Sequence, residues 1–104
     1  MRAEALKGHL DALLLAVLAA GPAHGYAVIE ALRERSDGAF TLPEGTVYPA
    51  LHRLENGGLV SSTWSSESGR RRRVYSLTRR GRSALKRERE DWQSFTRAVD
   101  VVLG

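Results

Sequence analysis

The chain has 104 residues, which allows one compact domain with at most an appendage, and its 42% hydrophobic and 27% charged content excludes wholesale disorder. It has no cysteine, so disulfide frameworks, thiolate metal sites and cysteine chemistry are excluded. The net charge of +4 hides an asymmetry: residues 1–67 hold 5 Lys/Arg against 8 Asp/Glu, and residues 68–104 hold 11 against 4.

In chain order, Leu10, Leu13, Leu14, Val17 and Leu18 recur at helical spacing until Gly21-Pro22 stops the run. That pattern predicts a short, largely buried helix. The longest apolar stretch, Ala12 to Ala20, falls far short of the ~20 residues needed to span a bilayer. Met1-Arg2-Ala3-Glu4 leads into no signal-like cleavage site, so a cytoplasmic protein without membrane contact is expected. A second helix is predicted from about His24 to Arg35, with Tyr26, Ile29, Leu32 and Arg33 on one stripe, Val28 beside it and Ser36-Asp37-Gly38 as its end. Thr41-Leu42-Pro43-Glu44 resembles a capping box with Pro43 in the first turn. It opens a third helix through Val47, Ala50, Leu51 and Leu54 that stops at Asn56-Gly57-Gly58.

The period then changes from helical to alternating. Leu59 to Trp64 and Arg73 to Leu77 flank the polar tip Ser65 to Gly69 and read as a β-hairpin. Thr78 is a candidate N-cap for a last helix reaching about Leu103. The predicted fold class is mainly α with a two-stranded β wing. Three helices followed by such a ribbon is the layout of a winged helix-turn-helix, whose third helix can enter a DNA major groove. The expected division is residues 1–77 for that domain and 78–104 for a C-terminal helix.

Several strings in this order resemble the PadR family of bacterial transcriptional regulators: Gly21-Pro22-Ala23-His24-Gly25-Tyr26, Gly45-Thr46-Val47-Tyr48-Pro49-Ala50-Leu51-His52-Arg53-Leu54-Glu55, Gly57-Gly58-Leu59-Val60, and Arg73-Val74-Tyr75-Ser76-Leu77-Thr78 followed by Gly81. Each string is weak alone, but the ordered set covers almost the whole chain. The resemblance implies a homodimeric winged-helix repressor that binds double-stranded DNA and has a C-terminal dimerisation helix.

Within the third helix, Gly45 leaves room for close backbone approach, and Thr46 and Tyr48 carry hydroxyls able to donate to phosphate beside a positive helix end. Pro49 interrupts the hydrogen-bond ladder, which costs less near the helix start. The alternative is that Tyr48 is core and Pro49 only sets that start. His52 and Arg53 are further candidate DNA contacts, and Arg53 otherwise reads as a solvated face. With no second arginine on this helix, hydrogen-bonded base readout is limited.

The hairpin is the electrostatic centre. Arg70, Arg71, Arg72 and Arg73 follow its tip, and seven arginines without an acid lie between Arg70 and Arg82. Alternation sends the four side chains to both faces, so two or three of them are expected to touch one duplex. A solvated basic hairpin is the alternative. Arginine outnumbers lysine 14 to 2, which suits forked phosphate contacts and equally fits a GC-rich genome. Arg79, Arg80 and Arg82 sit at a helix start, where cations oppose the helix dipole unless an anion is near.

Leu85, Trp92 and Val99 recur every seven residues, with Glu88, Phe95 and Val102 as the second seam position. This short heptad predicts a dimerisation seam, with packing back onto the same domain as the alternative. In the relatives this helix pairs across a two-fold axis with help from an N-terminal helix, here around Ala3 to Leu10. Some relatives stack flat aromatic compounds on a tryptophan in a similar place, so Trp92 is a candidate site for a planar aromatic effector, or else packed core. His9, His24 and His52 lack metal-ligand spacing, His24 reads as structural, and the serines have no matching base. Neither an enzyme nor a cofactor is expected. Two other readings remain, a nonspecific nucleic-acid module (RNA included) and a protein-interaction adaptor.

Overall fold

A computed structural model describes Leu6, residues 8–67 and residues 69–104. Within them the elements are α1 (Leu10–Ala19), β1 (Ala23–His24), α2 (Gly25–Arg35), α3 (Glu44–Asn56), β2 (Val60–Ser65), β3 (Arg72–Leu77) and α4 (Arg79–Leu103). Of the helix expected around Ala3 to Leu10, residues 3–5 and 7 lie outside the described residues.

α1 is the central pillar. Leu10, Leu14, Leu15, Val17 and Leu18 are all buried, because α2, α3, α4 and β3 each pack against it. A helix enclosed this way has no polar stripe to keep wet, which explains its nearly uninterrupted apolar sequence. Val28 and Leu32 of α2, Val47, Leu51 and Leu54 of α3, Val60 and Tyr75 of the sheet, and Leu85 of α4 complete the core. The sheet is antiparallel in the order β1-β3-β2, with Ala23 opposite Tyr75 and Val60 opposite Leu77.

α2 starts at Gly25 with His24 at its N-cap, in line with the expected start at about His24. Two local expectations need correction. His24 is extended and pairs with Val74 as part of β1, and its Nδ1 lies 3.2 Å from the Ala27 amide nitrogen. This third strand was not expected, since two residues are too few to carry an alternating pattern. The Thr41 capping box also does not form. Pro43 is itself the N-cap of α3, without a side-chain bond, and the Thr41 hydroxyl donates instead to the Gly38 carbonyl. Proline cannot occupy the extended cap position and the first helical turn at once, so α3 starts one residue later, at Glu44. Pro49 is then in the second turn and removes the bond to the carbonyl of Gly45, a residue on the exposed side of the helix.

The passage from α3 through the wing into α4 closes on itself. The Thr78 amide donates to the Leu59 carbonyl, the Thr78 hydroxyl donates to the Gly58 carbonyl, and the same oxygen accepts the Gly81 amide as the expected N-cap. Gly81 is buried beneath this knot. A Cβ there would lie 2.0 Å from the Leu59 carbonyl oxygen, a contact with backbone that no rotamer change relieves.

Gly81→Ala should therefore destabilise the domain by about 1–3 kcal/mol, the range for forced overpacking. Ser83→Ala, two residues away and exposed, should stay within about 0.5 kcal/mol. Urea denaturation of the two variants checks the contrast.

Candidate nucleic-acid interface

Val47, Ala50, Leu51 and Leu54 face the core, which leaves Gly45, Pro49, His52 and Asn56 along the outer face of α3 at helical spacing. All four are exposed. Nothing lies within 4 Å of the place a Gly45 Cβ would occupy, so this turn is open to a ligand's approach. Glu44 already puts one anion beside the helix start.

The remaining candidates on α3 lie off this stripe. Thr46 is half-buried. Tyr48 is half-buried too, and its ring lies against the backbone of Gly25, where a Cβ would come within 2.4 Å of Cε1. Tyr48 thus braces α3 on the start of α2. Arg53 lies on the flank, its Nη2 donating to Asp11 Oδ1 of α1 at 2.5 Å. Both groups are exposed, so the pair adds little stability, yet it draws the guanidinium away from the outer stripe.

In the wing, alternation separates the arginines as the strand geometry requires. Trp64 is opposite Arg73 on one face, and Arg72 turns to the other face beside His24. Arg73 Nε donates to the Ser62 hydroxyl at 2.7 Å, Ser62 donates to Glu55 of α3 at 2.6 Å, and the Arg73 guanidinium lies 3.9 Å from the same carboxylate. Arg72 Nη1 is 2.8 Å from His24 Nε2. These two arginines, both half-buried, tie the wing to the helical body. Arg70 and Arg71 are exposed, and the Arg71 guanidinium sits 4.4 Å above the ring of Trp64, which is itself 54% exposed. Arg79, Arg80 and Arg82 are exposed at the start of α4, where the first turn holds no acid.

Burial, and then the adjacent Arg72 guanidinium, push the His24 imidazole below its ordinary range. Burial, with Glu55 second, raises the Tyr75 phenol and keeps it neutral.

On α4, Leu85 is part of the domain core and not of an exposed seam. Trp92 is 51% exposed, Phe95 59% and Val102 84%, while Val99 is half-buried. Trp92 is therefore not packed core in the single chain. Its ring meets His9 edge-on at 5.0 Å and lies 6.0 Å from Phe95, on the rim of an apolar cleft of about 580 Å³ that runs between α1 and α4 past Leu13, Phe40 and Leu85.

The Glu55–Ser62–Arg73 network, the His24–Arg72 contact and the Trp64 platform escape a sequence reading. Each joins residues that are remote in sequence, and only the pairing register of the wing brings them together. Trp64 had one legible signal, a large aromatic in an otherwise Ser/Thr strand.

Residues 14–87 match the transcriptional regulator PadR-like family. The chain is 42% identical over 67 residues to the transcriptional regulator Rv3488 of Mycobacterium tuberculosis, covering 64% of this chain and 63% of that protein. It is 31% identical over 83 residues to the transcriptional regulator YqjI of Escherichia coli, covering 80% of this chain and 39% of that one. It thus spans less than two thirds of either relative. Among solved structures, a PadR family transcription regulator from Clostridium difficile superposes with a TM-score of 0.84 at 35% identity, over 92% of this chain and 99% of that one. A transcriptional regulator from Clostridium thermocellum gives 0.87 at 27% identity, over 96% and 95%.

The lowered His24 titration carries a pH dependence whose sign is fixed. The fold favours the neutral ring, so its contribution is complete above pH about 6.5 and is lost as pH falls below that value. Urea denaturation should give a lower midpoint at acid than at neutral pH, and the drop should shrink in His24→Asn, whose side-chain oxygen can accept the Ala27 amide without titrating.

Proposed function

Because the chain belongs to the PadR-like family of transcriptional regulators, we propose that it acts as a homodimeric repressor on an inverted-repeat DNA operator. The observation that carries this reading is the pairing of an open, uncrowded outer stripe on α3 with a wing whose Arg70 and Arg71 remain exposed. The stripe from Gly45 through Pro49 to His52 enters a major groove, with Thr46 at its edge and Tyr48 fixing its angle. Arg70 and Arg71 meet phosphate beside it, Arg73 holds the wing at the height where they can do so, and Arg72 holds its base through His24 in the free protein. Arg53 serves the flank of the helix through Asp11.

The C-terminal half of α4 supports the dimer. Past Leu85 no residue of this helix is buried, although it carries Trp92, Phe95, Val101, Val102 and Leu103. An isolated helical arm with this much bare apolar surface gains its stability from a partner, and a second copy of the same arm satisfies it symmetrically. The apolar cleft at Trp92 lies within the ~300–1,000 Å³ span of small-molecule sites and supports a planar aromatic effector there. No helix among the described residues is long and apolar enough to cross a membrane, in keeping with a cytoplasmic regulator.

Fluorescence anisotropy against a duplex carrying an inverted repeat from upstream of the protein's own gene tests the reading, with a scrambled duplex beside it. Preference for the repeat is expected. Equal binding favours a nonspecific module, and loss of both at moderate salt favours a protein adaptor. Sedimentation should show a dimer that Phe95→Glu with Val102→Glu splits, with operator affinity falling roughly a hundredfold as the two half-sites uncouple.

Arg71→Ala should flatten the plot of log affinity against log salt by about one phosphate contact on any duplex. Arg73→Ala should change that slope less and lower the unfolding midpoint more, since it breaks the tie to Glu55.

A further inference from the structure

His24 stands where β1 becomes α2, and its ring bridges the helical body and the wing. Nδ1 lies 3.2 Å from the Ala27 amide nitrogen, and Nε2 lies 2.8 Å from Arg72 Nη1. Both neighbours are obligate donors, a backbone N–H and a guanidinium that keeps its protons at any ordinary pH. A neutral imidazole has one acceptor nitrogen and one N–H. The two contacts therefore cannot both be hydrogen bonds. Each tautomer satisfies one neighbour and sets its own N–H against the other. The imidazolium satisfies neither, in line with its suppressed protonation.

The two bonds differ in strength. The contact with Arg72 is the shorter and is charge-assisted, while the Ala27 amide is a neutral donor at the long end of the range. Arg72 is the charged group that the structure sets against the ring, and it belongs to the arginine-rich wing. We propose that His24 is a positioning residue with two exclusive tautomers: protonated on Nδ1 it holds Arg72 and fixes the base of the wing, and when a DNA phosphate takes Arg72 it is protonated on Nε2 and caps α2. The second half rests on the reading of the wing as a DNA-binding surface. The ring stays neutral throughout, with one proton leaving Nδ1 to water as another reaches Nε2 from water.

The consequence is a link between the two halves of the interface. The capped end of α2 is Gly25, against which Tyr48 braces α3. A phosphate on Arg72 thus tightens the helix end that sets the angle of the recognition helix. The coupling extends only as far as the two tautomers differ in affinity for phosphate.

Nitrogen-15 NMR of the imidazole rings reads the tautomer directly, because protonated and bare ring nitrogens resonate far apart. The full chain is measured at pH about 8, above the imidazole range, then as Arg72→Met, then saturated with an arbitrary duplex of about 20 base pairs. Arg72→Met keeps the stem and removes the donor. In the free protein the bare nitrogen of His24 should be Nε2. In Arg72→Met and in the duplex complex it should be Nδ1. A bare Nδ1 in the free protein overturns the proposal without recourse to any variant, and so does an unchanged tautomer in a folded Arg72→Met. If anisotropy on the same sample shows the duplex bound while Nε2 stays bare, the link to DNA is overturned. A duplex that does not bind even at low salt, where phosphate contacts alone suffice, overturns the DNA-binding reading, and the link with it.

Discussion

The carbonyl of Leu59 occupies the space where residue 81 would carry a side chain, and the wing depends on that intrusion. With no Cβ at Gly81, the first turn of α4 closes onto the strand entering the wing, and Thr78 binds both sides of the contact through its amide and hydroxyl. The end of α3, the start of β2, the end of β3 and the start of α4 consequently meet at one point. A two-stranded ribbon alone is marginally stable and free to swing. Anchored here, its angle to α3 is a property of the backbone, and the arginines at its tip inherit a defined position relative to α3.

That anchoring also answers the electrostatic problem of the wing. Four consecutive arginines repel one another, and a ribbon that carried them all free would resist folding. The fold divides them by strand alternation. Arg73 goes to the Ser62–Glu55 pair, Arg72 to His24, and Arg71 rests on the indole of Trp64. A histidine receives one cation and an acid receives another, so the two interior positions are held by different chemistry. The carboxylate attracts Arg73 by its charge, whereas the imidazole holds Arg72 in only one of its tautomers. The wing is therefore firmly tied on the α3 side and conditionally tied on the α2 side.

Much of this was legible in the sequence, and the illegible part has a common cause. The periods of Leu10 to Leu18 and Val47 to Leu54, the change to alternation after Gly58 and the Thr78 cap all depend on neighbours a few residues away, and each reappears in the structure. The Thr41 box failed because two local rules competed, and the fixed φ of Pro43 suited the cap position. β1 was invisible because strand character at Ala23 and His24 comes entirely from Tyr75 and Val74, some fifty residues on. Leu85 shows the limit of a heptad pattern. Its spacing from Trp92 and Val99 is the same whether a residue faces a partner or its own core, and the distinction comes from α1 lying against the first turns of α4.

This last ambiguity is physical as well as diagnostic. One face of α4 runs from Leu85 in the core, past Glu88 and Trp92 beside the cleft, to Phe95 and Val102 in the open. Core and apolar arm are thus successive turns of a single rigid helix, with the cleft between α1 and α4 marking the transition. A helix of 25 residues is about 37 Å long, so a small change in how its first turns seat on α1 is magnified at its far end. The same cleft is lined on its other side by Ala12, Leu13 and Ala16 of α1, the helix against which α2, α3 and β3 all rest. A ligand or partner on α4 need not touch the wing or α3 to bias their relative placement. It need only prefer one seating of α4 on α1 over another, since α4 meets the root of the wing at the Gly81 knot.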